Sequence, residues 1–253
     1  METQVLNHHT TILQIIKHHL GPCTIFTLEE NQNNPCLVAF ANPKNPRAAA
    51  TAANRITEKT NTTVTLLLHK ATDLNTSQQD QQWFFYHALR GQRLALDKAA
   101  VPYWPHDHIP EREWEGAEAF WLKCEAVANF NIAAVSESPQ LEVGLIKIAL
   151  LHEAMVQIAL GLIRACLGYT PNNYGLRFLL QLCGHFCDLP ARAFPQDTPE
   201  QQLHYKRLCT PSSMLRHWTR LDAPERDVEL LLDACGVFLN DAKELVERTL
   251  QNK

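Results

Sequence analysis

Two arginine–histidine pairs in the second half of the sequence could do acid–base chemistry at a phosphate. Arg177 precedes His185 with seven residues between them, and Arg207 precedes His217 with nine between them. In such a pair the histidine moves a proton at a ribose 2′-hydroxyl and the arginine stabilises phosphate charge. Arg216 and His217 are adjacent, which places their side chains on different faces of a helix. With Lys206, Arg207 and Arg220 they form the best candidate for a local basic patch. The chain as a whole carries a formal net charge of -4, which argues against strong nonspecific nucleic-acid binding.

Metal chemistry has three candidates, each with a plainer reading. Cys183-Gly184-His185-Phe186-Cys187 offers ligand types suited to zinc, but no Cys-x-x-Cys knuckle and no second pair, so helix packing is the expected use. His106 and His108 share a side of an extended chain, yet they lie in a proline-rich stretch that reads as a solvated loop. His152-Glu153 opens like a zincin helix, but Val156 and Gln157 stand where a second histidine is needed. No metal and no cofactor is expected. The pairs His8-His9 and His18-His19 read as surface residues.

The elements that must carry these groups fall into two halves. Ile12, Ile15, Ile16 and His19 share one face of a helix over Thr10–Leu20, stopped by Gly21-Pro22. Cys23–Leu28 and Cys36–Phe40 read as strands separated by a turn-rich segment. A helix over Arg47–Thr60, a strand over Thr62–His69, a helix over Asp73–Gly91 and a short edge strand at Leu94–Leu96 complete an α-β-β-α-β-α-β order. Trp83, Phe84, Phe85 and Tyr86 are consecutive, so they cannot all face one core; core packing is the expected use of the set. Between Val101 and Pro110 prolines, Tyr103 and Trp104 crowd together, which marks a boundary.

Beyond it nearly everything reads as helix: Glu111–Val135, Leu141–Leu167, Leu176–Phe186, Pro199–Leu208, Ser212–Trp218 and a long last helix. Leu141–Leu167 is apolar on most faces and therefore central; Gly168 and Pro171 end it. Asp222-Ala223-Pro224-Glu225 caps the last helix, whose stripe is Val228, Leu231, Leu232, Cys235, Leu239, Ala242 and Val246. Trp114 and Trp121 lie seven apart on one face and are expected to dock one half on the other.

The eight cysteines sit mostly inside apolar runs, as reduced, buried thiols do. The start METQVLNHHT lacks the features of a secretory signal. No apolar run reads as membrane-spanning, because Leu141–Leu167 contains Glu142, Lys147, His152, Glu153, Gln157 and Arg164. The expected location is the cytoplasm.

The segment Leu151–Ala154 through Ile163–Pro171, then Asn173-Tyr174-Gly175 into Leu176–Leu180, resembles the HEPN domain, as does the capped terminal helix Asp222–Leu250. The first half resembles a minimal nucleotidyltransferase, the domain often found in front of HEPN. Ile12–Leu20, Thr24–Leu28 and Leu37–Phe40 resemble its first helix and first two strands, and Trp83–Asp97 resembles its ending. The resemblance implies residues 1–100 as a small α/β nucleotidyltransferase-like domain, 101–110 as a linker and 111–253 as an all-α HEPN-like bundle, an α+β protein overall. It also implies pairing of two copies through the helical domain.

Departures from both families shape the expected function. An active nucleotidyltransferase needs a Gly-Ser turn after its first strand and two carboxylates on its second to hold Mg²⁺. Here the first strand runs into Thr27-Leu28-Glu29-Glu30, and Leu37–Asn42 has no carboxylate, so the charge clamp of catalysis is missing. HEPN ribonucleases use an arginine followed by a histidine about four to six residues on; no arginine here has that spacing. Asn173-Tyr174 replaces the family's turn histidine, which adds these two residues to Arg207, Arg216, His217 and Arg220 as binding candidates. The reading is a non-catalytic binding and assembly protein that takes a nucleotide, RNA or protein partner. The alternative is a ribonuclease that brings Arg177 to His185, or Arg207 to His217.

Overall fold

The computed structural model describes residues 2–29, 34–45, 47–76, 78–91, 93–95, 104–105, 107–137, 143–210 and 223–251. The chain divides into two compact units, Met1–Arg112 and Glu113–Lys253.

In the first unit α1 (Glu2–Leu20) leads into β1 (Cys23–Glu29) and β2 (Cys36–Ala41). Gly21 makes the join. Its φ of +74° lies where a side chain is strained, and its N–H caps α1 by donating to Lys17 O at 2.9 Å. Next come α2 (Ala48–Thr60), β3 (Thr65–His69), a 3-10 turn (Ala71–Asn75), α3 (Gln79–Ala88) and β4 (Arg93–Ala95). The sheet order is β3-β2-β1-β4. β1 is antiparallel to β2 and to β4, while β2 and β3 are parallel, the arrangement that a crossover through α2 requires.

Every residue of β2 is buried, as its unbroken apolar run demands. Alternate side chains point to opposite faces. Ile25, Leu37, Ala39 and Leu66 join Ile12, Ile16 and Leu20 of α1 and Ala52 and Ile56 of α2 in one core. The other face carries Phe26, Phe40 and His69: Phe26 packs on Phe40, and Phe40 and His69 meet Phe85 of α3, with centroids 6.1 Å and 4.8 Å from it. Of the aromatic run on α3, Phe84 and Phe85 are buried and Trp83 and Tyr86 are not.

The expected helix over Asp73–Gly91 is broken in two. Asp73 Oδ2 accepts the N–H of Lys70 at 3.0 Å and so caps the 3-10 turn at its start, while Thr76 Oγ1 accepts the N–H of Gln78 at 3.2 Å, a backbone donor that a continuous helix would have used. Of the segment expected as a linker and the residues after it, the described residues 104–105 and 107–112 fall within the first unit. Gln79 Nε2 donates to Glu111 O at 3.2 Å, Arg112 Cζ lies 4.6 Å from the centroid of Trp83, and the Trp104 ring meets Tyr86 at 5.4 Å.

The second unit holds α4 (Trp114–Ser136), α5 (Gly144–Leu167), α6 (Leu176–Cys183), α7 (Leu189–Ala193), α8 (Pro199–Cys209) and α9 (Glu225–Gln251). α5 is the hub, packed by α4, α6, α8 and α9. It is long and apolar enough to cross a membrane, contrary to the expectation that no run would be, but 61% of its apolar window is buried inside the protein. Trp121 is 3% exposed and packs on α5, where a Cβ at Gly161 would come within 2.6 Å of its ring; its contact is inside this unit, not the joint expected of it. α6 ends at Cys183, earlier than expected. The short α7, absent from the sequence reading, starts from Leu189-Pro190 with Asp188 O accepting the N–H of Ala191 at 3.1 Å. α8 begins with a capping box in which Thr198 Oγ1 accepts from Gln201 N at 3.2 Å and Gln201 Oε1 accepts from Thr198 N at 3.0 Å. In α9 the expected stripe is buried except for Leu232, and Phe238 and Leu250 join it. The helix expected over Ser212–Trp218 and the cap residue Asp222 lie outside the described residues.

Candidate functional sites

α8 carries polar side chains toward α6 and α9, and the spacing along the helix decides which. Tyr205 and Cys209, four apart, meet Arg177 of α6: the guanidinium lies 5.7 Å from the Tyr205 centroid and hydrogen-bonds Cys209. His204 and Arg207, three apart, turn to α9, as residues at that spacing share a face. There the Asp227 carboxylate takes both. His204 Nε2 is 3.2 Å from Oδ1, and Arg207 Nη1 pairs with Oδ2. On the side toward α5, His152 Nδ1 donates to Leu208 O at 2.8 Å.

Burial governs the titration of Tyr205 and Cys209. It raises the Tyr205 hydroxyl and the Cys209 thiol above their ordinary values, against the opposing pull of Arg177 on both. Neither group is a poised base or nucleophile near neutral pH.

Arg177 is engaged by Tyr205 and Cys209, and His185 stands eight positions on, past the end of α6. Arg207 is committed to Asp227. Arg216, His217 and Arg220 lie outside the described residues, so the second pair and most of the expected basic patch have no geometry here. Asn173 Oδ1 accepts the N–H of Gly175 at 3.0 Å, shaping the entry to α6, and Tyr174 beside it is exposed. His204 and Asp227 were missed by the sequence reading. The three-residue step from His204 to Arg207 and the acidic first turn of α9 were the available signals.

The thiols of the Cys183–Cys187 motif turn to backbone carbonyls. Cys183 Sγ donates to Ala159 O at 3.8 Å and Cys187 Sγ to Cys183 O at 3.4 Å. Burial pushes Cys187 up to about 11 and Cys183 well above its usual value. Among the described residues no three His, Cys, Asp or Glu side chains converge as metal ligands. In the first unit β2 presents no carboxylate, and the sheet face toward α3 holds aromatic rings.

No protein-family model matches the chain, and no curated protein matches it. What the fold defines is a mixed α+β protein: a four-stranded mixed sheet with its helices in one unit, helices alone among the described elements of the other.

Proposed function

We propose that the chain is a non-catalytic binding and assembly protein of the nucleotidyltransferase–HEPN type, working in the cytoplasm and pairing with a second copy of itself through the helical unit. The observation that carries this is the outer face of α4. Phe130 is 73% exposed, Leu122 56% and Val127 43%, a concentration of apolar surface that water disfavours and a partner would cover. Leu122, Ala126 and Phe130 fall at successive four-residue steps, so they share a face. The pattern is self-complementary about Ala126. Two antiparallel copies set each Leu122 opposite the other copy's Phe130, with the small Ala126 at the crossing, as a two-fold interface requires.

The engagement of Arg177 and Arg207 supports the non-catalytic side of the reading. A guanidinium already paired with a carboxylate or stacked on a ring is poorly placed to stabilise phosphate charge in a transition state. Five of the eight cysteines are buried, as the thiols of a protein in a reducing location are.

Light scattering on the intact chain tests the assembly. A dimer is expected for the wild type, and a monomer with unchanged circular dichroism for the Leu122→Asp, Phe130→Asp double variant. A wild type that stays monomeric across the concentration range, or a double variant that still pairs, refutes pairing through α4. RNA cleavage by wild type that Arg177→Ala or Arg207→Ala abolishes would refute the non-catalytic reading.

A further inference from the structure

Between α1 and α2 lies an open groove of about 650 Å³. Among its lining side chains Ile15 alone is aliphatic, and it is 8% exposed. The other lining side chains end in polar groups set on apolar stems, so a ligand's orientation there is fixed by charge and hydrogen bonding. α1 contributes His18 and His19; α2 contributes Asn54, Arg55, Glu58 and Lys59. Arg55 and Lys59 are four apart on one face of α2.

The balance of donors and acceptors selects the ligand. Glu58 is the acceptor-only group of the lining, and Arg55 Nη1 already donates to its Oε2 at 2.8 Å. That contact offsets the carboxylate's charge, both side chains stay more than half exposed, and the guanidinium's remaining N–H groups stay available. Among the described residues no carboxylate lies within ion-pair reach of Lys59, His18 or His19. A cation in the last turn of a helix complements the helix dipole, and that accounts for Lys17 on α1 or Lys59 on α2 taken singly. It does not account for two helices directing basic side chains into one groove on a chain of net charge -4.

We propose that this groove binds a phosphorylated ligand, the phosphate being that of a free nucleotide or of an RNA backbone. Lys59 and Arg55 supply the permanent charge, and the two histidines donate from the opposite wall. The site stands on a different unit from the α4 face, so binding and pairing can fail independently.

The test titrates the intact chain with inorganic pyrophosphate, ATP and a short labelled oligouridylate at about 50 and about 200 mM salt, with light scattering on the same samples. Binding that weakens with salt is expected. Lys59→Glu and His18→Glu are each expected to weaken it about fivefold or more, and removing the lysine charge lowers the salt slope by about one unit. Lys44→Glu, an exposed cation outside the groove lining, is the control and is expected to change affinity less than twofold. ATP binding at least as tight as that of the oligonucleotide identifies a free nucleotide as the source of the phosphate; tighter oligonucleotide binding identifies the RNA backbone. Lack of binding to all three probes overturns the proposal. So does binding that Lys59→Glu and His18→Glu leave intact, or that Lys44→Glu weakens equally. Lys59→Gln, which keeps the stem and the helix propensity, stands in if a reversal variant loses its circular dichroism.

Discussion

The Arg207 guanidinium on α8 pairs with the Asp227 carboxylate on α9, and His204, one turn back, shares that carboxylate at 3.2 Å. The side chains of Arg207 and Asp227 are 18% and 14% exposed, so the pair is shielded from water without being sealed. Asp227→Ala leaves a guanidinium and an imidazole facing each other with no acceptor. The expected loss is about 1–3 kcal/mol, the range for a partly buried hydrogen bond to a charged group. Urea unfolding followed by circular dichroism checks it. A midpoint unchanged by Asp227→Ala would mean that the pair does not hold α8 on α9.

Two glycines inside helices should respond to alanine with opposite signs. At Gly161 on α5 a Cβ meets the Trp121 ring at 2.6 Å, so α4 and α5 must separate; overpacking of this kind costs about 1–3 kcal/mol. At Gly236 on α9 a Cβ meets nothing within 4 Å, and Gly236→Ala is expected to stabilise by about 0.5–1 kcal/mol through helix propensity. Thermal unfolding of the two variants beside wild type measures both. Equal shifts in the same direction would show that the Trp121 contact does not set the α4–α5 spacing.

Protonation of His69 sets a pH dependence of stability. Burial among Phe40 and Phe85 is the larger influence and lowers its pKa from 6.5, while Asp73, 3.4 Å from Nδ1, pulls the other way. The unfolded chain therefore takes up this proton more readily than the folded one. Its contribution to stability is complete above pH 6.5, falls as pH drops below that value, and levels off below the lowered folded pKa. His87 adds the same sign, its pKa lowered by burial first and then by Arg90 and Arg112. Urea midpoints at about pH 7.5 and about pH 5.5 are expected to differ, with the lower stability in acid. His69→Phe is expected to remove part of that difference, and a difference it leaves whole would assign the slope elsewhere.

The elements legible in the sequence were those whose signal is local. β2 shows itself as an apolar run with no polar alternation, α9 as a stripe of helical period, and α1 by the Gly21 that ends it. Thr76 sits in a segment of helical composition, yet its short side chain captures the N–H of Gln78 at the point where the segment breaks, a competition that hydrophobic periodicity does not register. The sites were less legible because their members are remote in sequence. Arg207 meets Asp227 only after α8 has folded back on α9, and His18 faces Asn54 across a groove that packing of α1 on α2 creates. The sequence reading paired arginine with histidine by spacing. The fold pairs Arg207 with a carboxylate, because a cation leaving water needs a counter-charge more than it needs a neighbour in the chain.

The same requirement makes an ammonium near the start of α5 the sharpest probe of the helical unit. Lys147 is 6% exposed, and its Nζ donates to Glu225 Oε1 at 2.6 Å. Glu225 itself is largely open to water, 57% exposed, so it meets the lysine charge with little desolvation of its own. Removing the two members should therefore have unequal effects. Glu225→Ala strands a buried ammonium and is expected to cost about 2 kcal/mol, less than a fully buried pair because water can reach the gap. Lys147→Met removes the charge but keeps the stem that packs in the core, and it is expected to be neutral or stabilising by up to about 1 kcal/mol. In the double variant the loss seen with Glu225→Ala should disappear, since no charge remains to be stranded. Chemical denaturation of the full double-mutant cycle checks the account. Additive losses, with Lys147→Met destabilising on its own, would mean that the lysine is held for its charge and that the α5–α9 contact depends on the ion pair.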